Sequence, residues 1–490
     1  MSGLKDKLKR LKAGQSSGSS PAEETTISTE AEEPISTTEA GTFPSSKETR
    51  LEPGWSKWGV FLESNEWGHF LIRRVTYSLD YRHGHYRLGE LGECAAHLAP
   101  LAENRALEPE EMLFFDTETT GLGQGAGNVP FMIGLGRFQA GTFLVEQLFI
   151  RNPAEERAML AYLLPLLQQS SCLVTYNGKT FDWPVFKNRY VLNRMTDRLP
   201  QPLHLDFLYP SRSLWRHTLP SCRLGKVEEE KLGLWREDDV PGSLAPMLYV
   251  QYLAEQDPQV IGPVFLHNES DVLSLAGLAI HFARILEGRV GTEGMDGEER
   301  YRLGLWLHKH GRQELAQAVL DDLAGEAASG HGAGGDYLLP LAKHYKQLGQ
   351  WEKAVALWKS AIDLIRSGKW SVPPVEPYVE LAMVYEHRVK DIEMALLYAM
   401  EVRQIRERMQ ARLYSALGAG RLRAVGSRQS GKPERQDEIL SQLDKRIERL
   451  SRKLAGTTRD GGTGSQGTVR RKAANHRRKS GDACEPLTLF

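Results

Sequence analysis

Cysteine is scarce in this chain. Four of its 490 residues are cysteines, Cys94, Cys172, Cys222 and Cys484, and no two form a Cys-x-x-Cys pair. That pattern argues against a zinc site or a disulfide framework and fits reduced thiols in a cytoplasmic protein. A surplus of charge of either sign is also missing. Lys and Arg number 62 against 63 Asp and Glu, a formal net charge of -1. Bulk charge therefore neither draws the chain to nucleic acid nor keeps it away; any such attraction has to be local. No run of about 18 apolar residues is present, so no membrane-spanning helix is expected. The opening MSGLKDKLKRLKA has no apolar stretch of signal-peptide type. It places Leu4, Leu8 and Leu11 on one helical face beside Lys5, Lys9 and Lys12, but is too short to hold a helix alone. Large apolar residues are nearly absent from about 14 to 48, where Ser, Thr, Glu, Gly and Pro prevail. Nothing there offsets the entropy of ordering, so residues 1–50 are expected to be disordered around that short basic helix. The glycine-rich GLGQGAGN lacks the Lys-Ser/Thr of a phosphate loop, which argues against nucleoside triphosphate binding.

What is present is enough apolar content, 41%, to build ordinary cores. Aromatic and β-branched residues return from Trp55, and HFLIRRVTYSLDY and GHYRLGEL predict a β-rich lead-in over 51–109. Strand and helix patterns then alternate through 110–290. EMLFFDTET is an apolar run ending in acids, and FMIGLGRF with TFLVEQLFI reads as a hairpin about Gln139, Ala140 and Gly141. AEERAMLAYLLPLLQQS is an amphipathic helix, CLVTYNG a strand, DWPVFKNRYVL a helix, PLHLDFL a strand and HNESDVLSLAGLAIHFARIL a closing helix. The order β-β-β-α-β-α-β-α is that of a mixed sheet flanked by helices, an α/β fold.

The chemistry gathers at the ends of these elements. Asp116 and Glu118 lie two apart at the end of an apolar strand and so point to one face. Two carboxylates aimed together repel unless a cation neutralises them, and hard divalent cations suit oxygen ligands. In TYNGKTFDWPVF the strand ends at Tyr176, Asn177-Gly178 turns the chain, and Asp182 opens a helix, where it could also serve as a plain N-cap. In HNESD, His267 and Asp271 are four apart on one helical face. His204 and Asp206 in PLHLDFL are either orienting residues or ordinary strand residues, and Glu228, Glu229 and Glu230 read as a solvated acidic run.

FFDTETTGL, YNGKTFDWP, HLDFLYPSRSLW, CRLGKVEEEKLG and HNESDVLSL together resemble the DEDD superfamily of 3′–5′ exonucleases, and more closely the YprB-type ribonuclease-H-like family. The likeness covers about residues 110–288. It implies a ribonuclease-H-like fold and two divalent cations, Mg²⁺ or Mn²⁺, held by Asp116, Glu118, Asp182 and Asp271. In that pattern Asp116 bridges both ions, Glu118 and Asp271 hold the ion of the attacking water, Asp182 serves the second ion, and His267 takes the water's proton. Thr119, Leu122, Asn177 and Phe181 would touch substrate, Leu122 as a wedge against the terminal base. One departure stands out: His267 precedes the last Asp by four residues, the spacing of the Tyr-type subclass, not the five of the His-type. The expected activity is hydrolysis of single-stranded nucleic acid, with a structure-specific endonuclease or resolvase, or a scaffold carrying a vestigial nuclease, as alternatives.

A different period begins near Glu298. Leu303-Gly304, Leu307, Gly311, Ala316 and Leu320 set a pattern that recurs from Leu341-Ala342 and again from Leu381-Ala382, offsets of 38 and 40 residues. It resembles tetratricopeptide repeats over 297–412, paired helices whose small residues let the partner approach and whose concave face would take an unknown partner. Residues 413–490 are expected to hold one more helix, EILSQLDKRIERLSRKL, then a basic low-complexity tail. The tail ends in EPLTLF, where Leu487, Leu489 and Phe490 resemble the apolar positions of a bacterial sliding-clamp-binding motif.

Overall fold

The computed structural model describes residues 51–460 except 52–53, 122, 124–126, 197–198, 237–238, 330–334, 369, 371 and 426–432; for 410, 413–425, 433–440 and 456–460 it describes the backbone alone. The short basic N-terminal helix, the stretch 14–48, Leu122, Cys484, the basic tail and Leu487, Leu489 and Phe490 lie outside the described residues.

Seven strands form one sheet: β1 (Val60–Asn65), β2 (Gly68–Ser78), β3 (Met112–Thr119), β4 (Pro130–Gln139), β5 (Thr142–Phe149), β6 (Cys172–Thr175) and β7 (Leu203–Asp206). Their order across the sheet is β1-β2-β5-β4-β3-β6-β7. Pairing is antiparallel from β1 through to β3 and parallel from β3 through β6 to β7. The lead-in is thus part of the main sheet: β2 pairs with β5 from Leu71↔Phe149 to Ser78↔Thr142. The hairpin between β4 and β5 turns on Ala140 and Gly141, both at positive φ (48° and 74°), as a two-residue turn of matching twist requires.

Helices cover the sheet on both faces. They are α1 (Glu156–Gln169), α2 (Asp182–Leu192), α3 (Leu208–Trp215), α4 (Ala245–Glu255) and α5 (Pro258–Glu287). Alternation along β3 feeds two cores. Met112 and Phe114 join one with Val272, Leu275 and Ala279 of α5, while Leu113 and Phe115 join the other with Leu160, Phe186 and Tyr249. The long α5 starts cleanly because Asp257 accepts from the Gln259 amide and Pro258 takes the first position; Gly288, left-handed, ends it.

The remaining helices are α6 (Gly297–Lys309), α7 (Gln313–Ser329), α8 (Leu338–Gln347), α9 (Trp351–Arg366), α10 (Glu376–Val384), α11 (Ile392–Val425) and α12 (Pro433–Asp460). The small residues of the repeating pattern sit where helices cross. A Cβ on Gly304 would lie 2.5 Å from Leu320, and Ala342, Ala361, Ala382 and Ala395 are at most 1% exposed. The first pair straddles two cores. Leu303, Trp306, Leu307 and Ala316 pack with Phe282 and Leu286 of the sheet domain, whereas Tyr301, Leu320 and Leu323 join the core of α8 to α12.

Candidate active site

The site forms where β3 ends. Phe114, Asp116 and Glu118 share the face that α5 covers, so the apolar part of β3 fixes the helix and its last turn of strand presents carboxylates. Two glycines of β4 bring α5 close. Gly134 lies beside Asp116, and a Cβ there would fall 2.3 Å from the Asn268 side chain; one on Gly136 would fall 2.6 Å from Val272. Asn268, 0% exposed, uses that space to donate its Nδ2 to Asp116 Oδ2 at 2.9 Å. Its Oδ1 accepts from Gln147 Nε2 at 2.9 Å, and Gln147 in turn accepts from Arg73 at 2.7 Å. A buried polar chain therefore runs from β2 through β5 and α5 and fixes the first acid. Sequence reasoning overlooked Asn268 and Gln147, although the Gly-x-Gly within an apolar strand signals such close approach.

Asp182 arrives from the opposite face. The Thr117 hydroxyl donates to its Oδ1, and the aromatic pair Phe115–Phe186 seats α2 beneath it. Burial first and its neighbours second push Asp116 and Glu118 well above the usual carboxylate range; for Asp116 the neighbours are Asp271 and Asp182, for Glu118 they are Asp116 and Asp271. Asp182 is raised to about 6, mainly by burial. Clustered negative charge thus costs free energy at the end of β3.

His267 and Asp271 project from α5 toward these acids. His267 Nε2 stands 3.8 Å from Glu118 Oε1 and 3.6 Å from Asp271 Oδ2. Its Nδ1 lies 2.9 Å from Asp239 Oδ2, so a carboxylate orients the ring and leaves Nε2 facing the acids. Arg236 donates to Asp271 Oδ1 at 2.5 Å, to Asp239 at 3.2 Å and to Glu228. The expected solvated run is corrected here. Glu228 is 1% exposed and faces inward to Arg236, whereas Glu229 and Glu230 pair with Lys226 at the surface. Asp239 and Arg236 carry no motif that would single them out.

The other expected residues are dispersed. Thr119 is buried and donates to the Gly121 carbonyl at 2.7 Å. Asn177 is exposed at φ 68° and shapes the turn, its side chain accepting from Thr180 at 3.0 Å. Phe181 is half-buried at the start of α2. Asp206 accepts from the backbone amides of Asn177, Lys179 and Leu208 at 2.8, 3.0 and 3.0 Å, and its charge adds to the rise of Asp182. His204 contacts the Thr175 hydroxyl at 2.8 Å, and burial lowers its pKa to about 4.

Residues 113–283 match the RNase_H superfamily. The chain is also 36% identical over 355 residues to the uncharacterized protein YprB of Bacillus subtilis (strain 168), a match covering 70% of this chain and 83% of that one. The chain belongs to the YprB family. Its sheet domain is ribonuclease-H-like, a class that implies nuclease chemistry and whose members generally use divalent metals. Among the described residues, as they stand, no three His, Cys, Asp or Glu side chains are arranged to hold a metal ion. The donor chemistry nonetheless fits a hard divalent cation: carboxylate oxygens from buried Glu118 and Asp182 and half-buried Asp116 and Asp271, whose mutual repulsion is offset in part by Arg236.

Proposed function

We propose that the chain is a metal-dependent 3′–5′ exonuclease acting on single-stranded nucleic acid, DNA in preference to RNA, in replication or repair. The observation that supports this reading is the convergence of Asp116, Glu118, Asp271 and His267 at the end of β3, with Asp182 closing the other face. Asp116, Glu118, Asp182 and Asp271 would hold two Mg²⁺ or Mn²⁺ ions. When bound, such ions acidify a water and neutralise charge at the scissile phosphate. His267 accepts the water's proton at Nε2, and Asp239 at Nδ1 stabilises the imidazolium so formed. Asn268 holds Asp116 in place through the transfer. The experiment is hydrolysis of end-labelled single-stranded DNA and RNA, with free or blocked 3′ ends, in Mg²⁺ or Mn²⁺. Stepwise shortening from a free 3′ end is expected; internal cuts in a blocked strand would favour an endonuclease, and no cleavage would overturn the reading.

The preference for DNA rests on the tail. Leu487, Leu489 and Phe490 would dock on the bacterial sliding clamp and hold the enzyme near DNA at high effective concentration. A peptide of the last dozen or so residues should bind the clamp weakly and lose binding with Leu489→Ala plus Phe490→Ala. No binding at high micromolar clamp would refute this.

A further inference from the structure

The C-terminal ends of β3, β6 and β7 stand in register. Phe114 pairs with Val174 and Thr175 with Asp206, so Asp116, Asn177 and Asp206 follow one another along one edge of the sheet. Two strand spacings, roughly 10 Å, separate the first from the last. Beyond Asp206 that edge opens into a cleft of about 210 Å³ between the ribonuclease-H-like domain and α6, lined among others by Lys179, His204, Tyr209, Ser213, Trp306 and Lys309.

The cleft is basic, and its one carboxylate is already engaged. Asp206 lines the cleft too, but it is 6% exposed and its oxygens accept the three backbone amides named above. Lys179 and Lys309 are exposed, and neither forms an ion pair with a described residue; the Lys179 charge acts on Asp206 from a distance, and Lys309 faces no other carboxylate among the cleft's lining residues. Tyr209 is 46% exposed, an unusual position for a large ring, in a cleft that both lysines line. Tyr209, Arg212 and Ser213 of α3, with Arg216 at its C-cap, recur at helical spacing on one exposed face, and neither arginine pairs with a described acid. Exposed cations without ion pairs near an exposed ring fit a phosphodiester strand: phosphates take the charge and a base takes the ring face. A folded acidic protein would need no exposed ring here, and a free phosphate would use neither Tyr209 nor α3.

Resting on the nuclease reading above, we propose that this cleft is a second station for the substrate strand, away from the hydrolytic site. Lys179 and Lys309 hold a phosphate, Tyr209 stacks on a base, and Arg212 leads the strand outward along α3. Because Lys309 belongs to α6, the first repeat helix contributes directly to substrate binding.

The test uses the full chain carrying Asp116→Asn, so that bound strand is not cut, and a fluorescent 12-nucleotide single strand of DNA or RNA read by anisotropy. Lys309→Glu combined with Arg212→Glu should weaken binding about tenfold or more and reduce the salt slope by about one to two. Tyr209→Ala should weaken it about fivefold or more without moving that slope. Lys309→Gln, gentler on the fold, should give a smaller loss in the same direction. Affinity within twofold of the parent and an unchanged slope, in variants with parental thermal unfolding, would overturn the cleft while leaving the nuclease reading intact. Failure of the parent itself to bind either strand would bring down the nuclease reading, and the cleft with it.

Discussion

Two regions of this molecule bury their interiors in opposite ways. At the end of β3 the buried groups are polar: Gln147 and Asn268 at 0% exposure, Glu228 at 1%, Asp182 at 7% and Glu118 at 8%. From α8 to α11 the interior is Ala, Leu, Trp and Tyr, and ion pairs such as Lys346–Glu380 and Arg366–Glu401 sit at the rim. Burying a polar group costs free energy unless it is matched, whereas apolar burial stabilises directly. Dense polar burial at one sheet end therefore marks where stability has yielded to chemistry, and the helical region marks where packing alone governs. Glu386 is the local exception, 2% exposed and held by Arg449 and Lys453 of α12, and it ties the last helix to the stack.

The comparison predicts that mutations in the two regions will separate activity from stability. The largest effect should follow Asp116→Ala or Asp271→Ala, each expected to bring metal-dependent hydrolysis to background, as EDTA should in the parent. Thermal unfolding should change little in Asp116→Ala, because the loss of a repelling charge offsets the buried Asn268 donor left unpaired. Activity that survives both substitutions, or that ignores EDTA, would remove the metal site from the account. His267→Ala comes next, with turnover lower by about 10²–10⁴ and a flattened pH dependence near neutrality. A rate within a few-fold of the parent would make His267 structural, as its Tyr-like spacing allows.

Arg236→Ala tests the polar region from the stability side. It strands Glu228, almost wholly buried, without its cation, and should destabilise by about 3–5 kcal/mol, read as a shift in urea midpoint. Glu228→Gln added to Arg236→Ala should recover a large part of the loss. A neutral Arg236→Ala would mean that burial carries no such penalty here, and the contrast between the regions would collapse.

How far the sequence reveals these regions follows from the range over which each signal acts. The strand–helix order, the hairpin at Ala140-Gly141 and the paired helices with their small residues are local patterns, and they read directly. Asp116 and Glu118 are legible because strand period alone aims them together. Asp239, Arg236 and Glu228 are not, because they join His267 and Asp271 only after the segment between β7 and α5 has folded back, and no spacing encodes that return. The inward turn of Glu228 is a case in point: three consecutive glutamates look solvated until Arg236, eight residues on, draws one of them inside. The strand character of the lead-in reads from HFLIRRVTYSLDY, but its place in the main sheet does not, since β2 pairs with β5 across some 70 residues of chain.

The smallest effect should come from the apolar region. Ala342 is 0% exposed at a helix crossing, and Ala342→Leu forces extra methylenes into a filled space, costing about 1–3 kcal/mol. Hydrolysis of a short oligonucleotide should stay within twofold, because the cost falls on the core of α8 to α12 and not on the one that seats α5. Chain truncation sharpens the point. Leu303, Trp306 and Leu307 of α6 share a core with Phe282 and Leu286, so ending the chain near 296 would uncover apolar surface on the catalytic domain. Ending it near 330 keeps that surface covered and removes the stack of α8 to α12, although Tyr301, Leu320 and Leu323 lose their partners. The longer fragment should be soluble and cut a short strand at close to the parental rate, and the shorter should aggregate or unfold. If the two behave alike, α6 belongs to the repeats alone and the seam between the regions lies near 296.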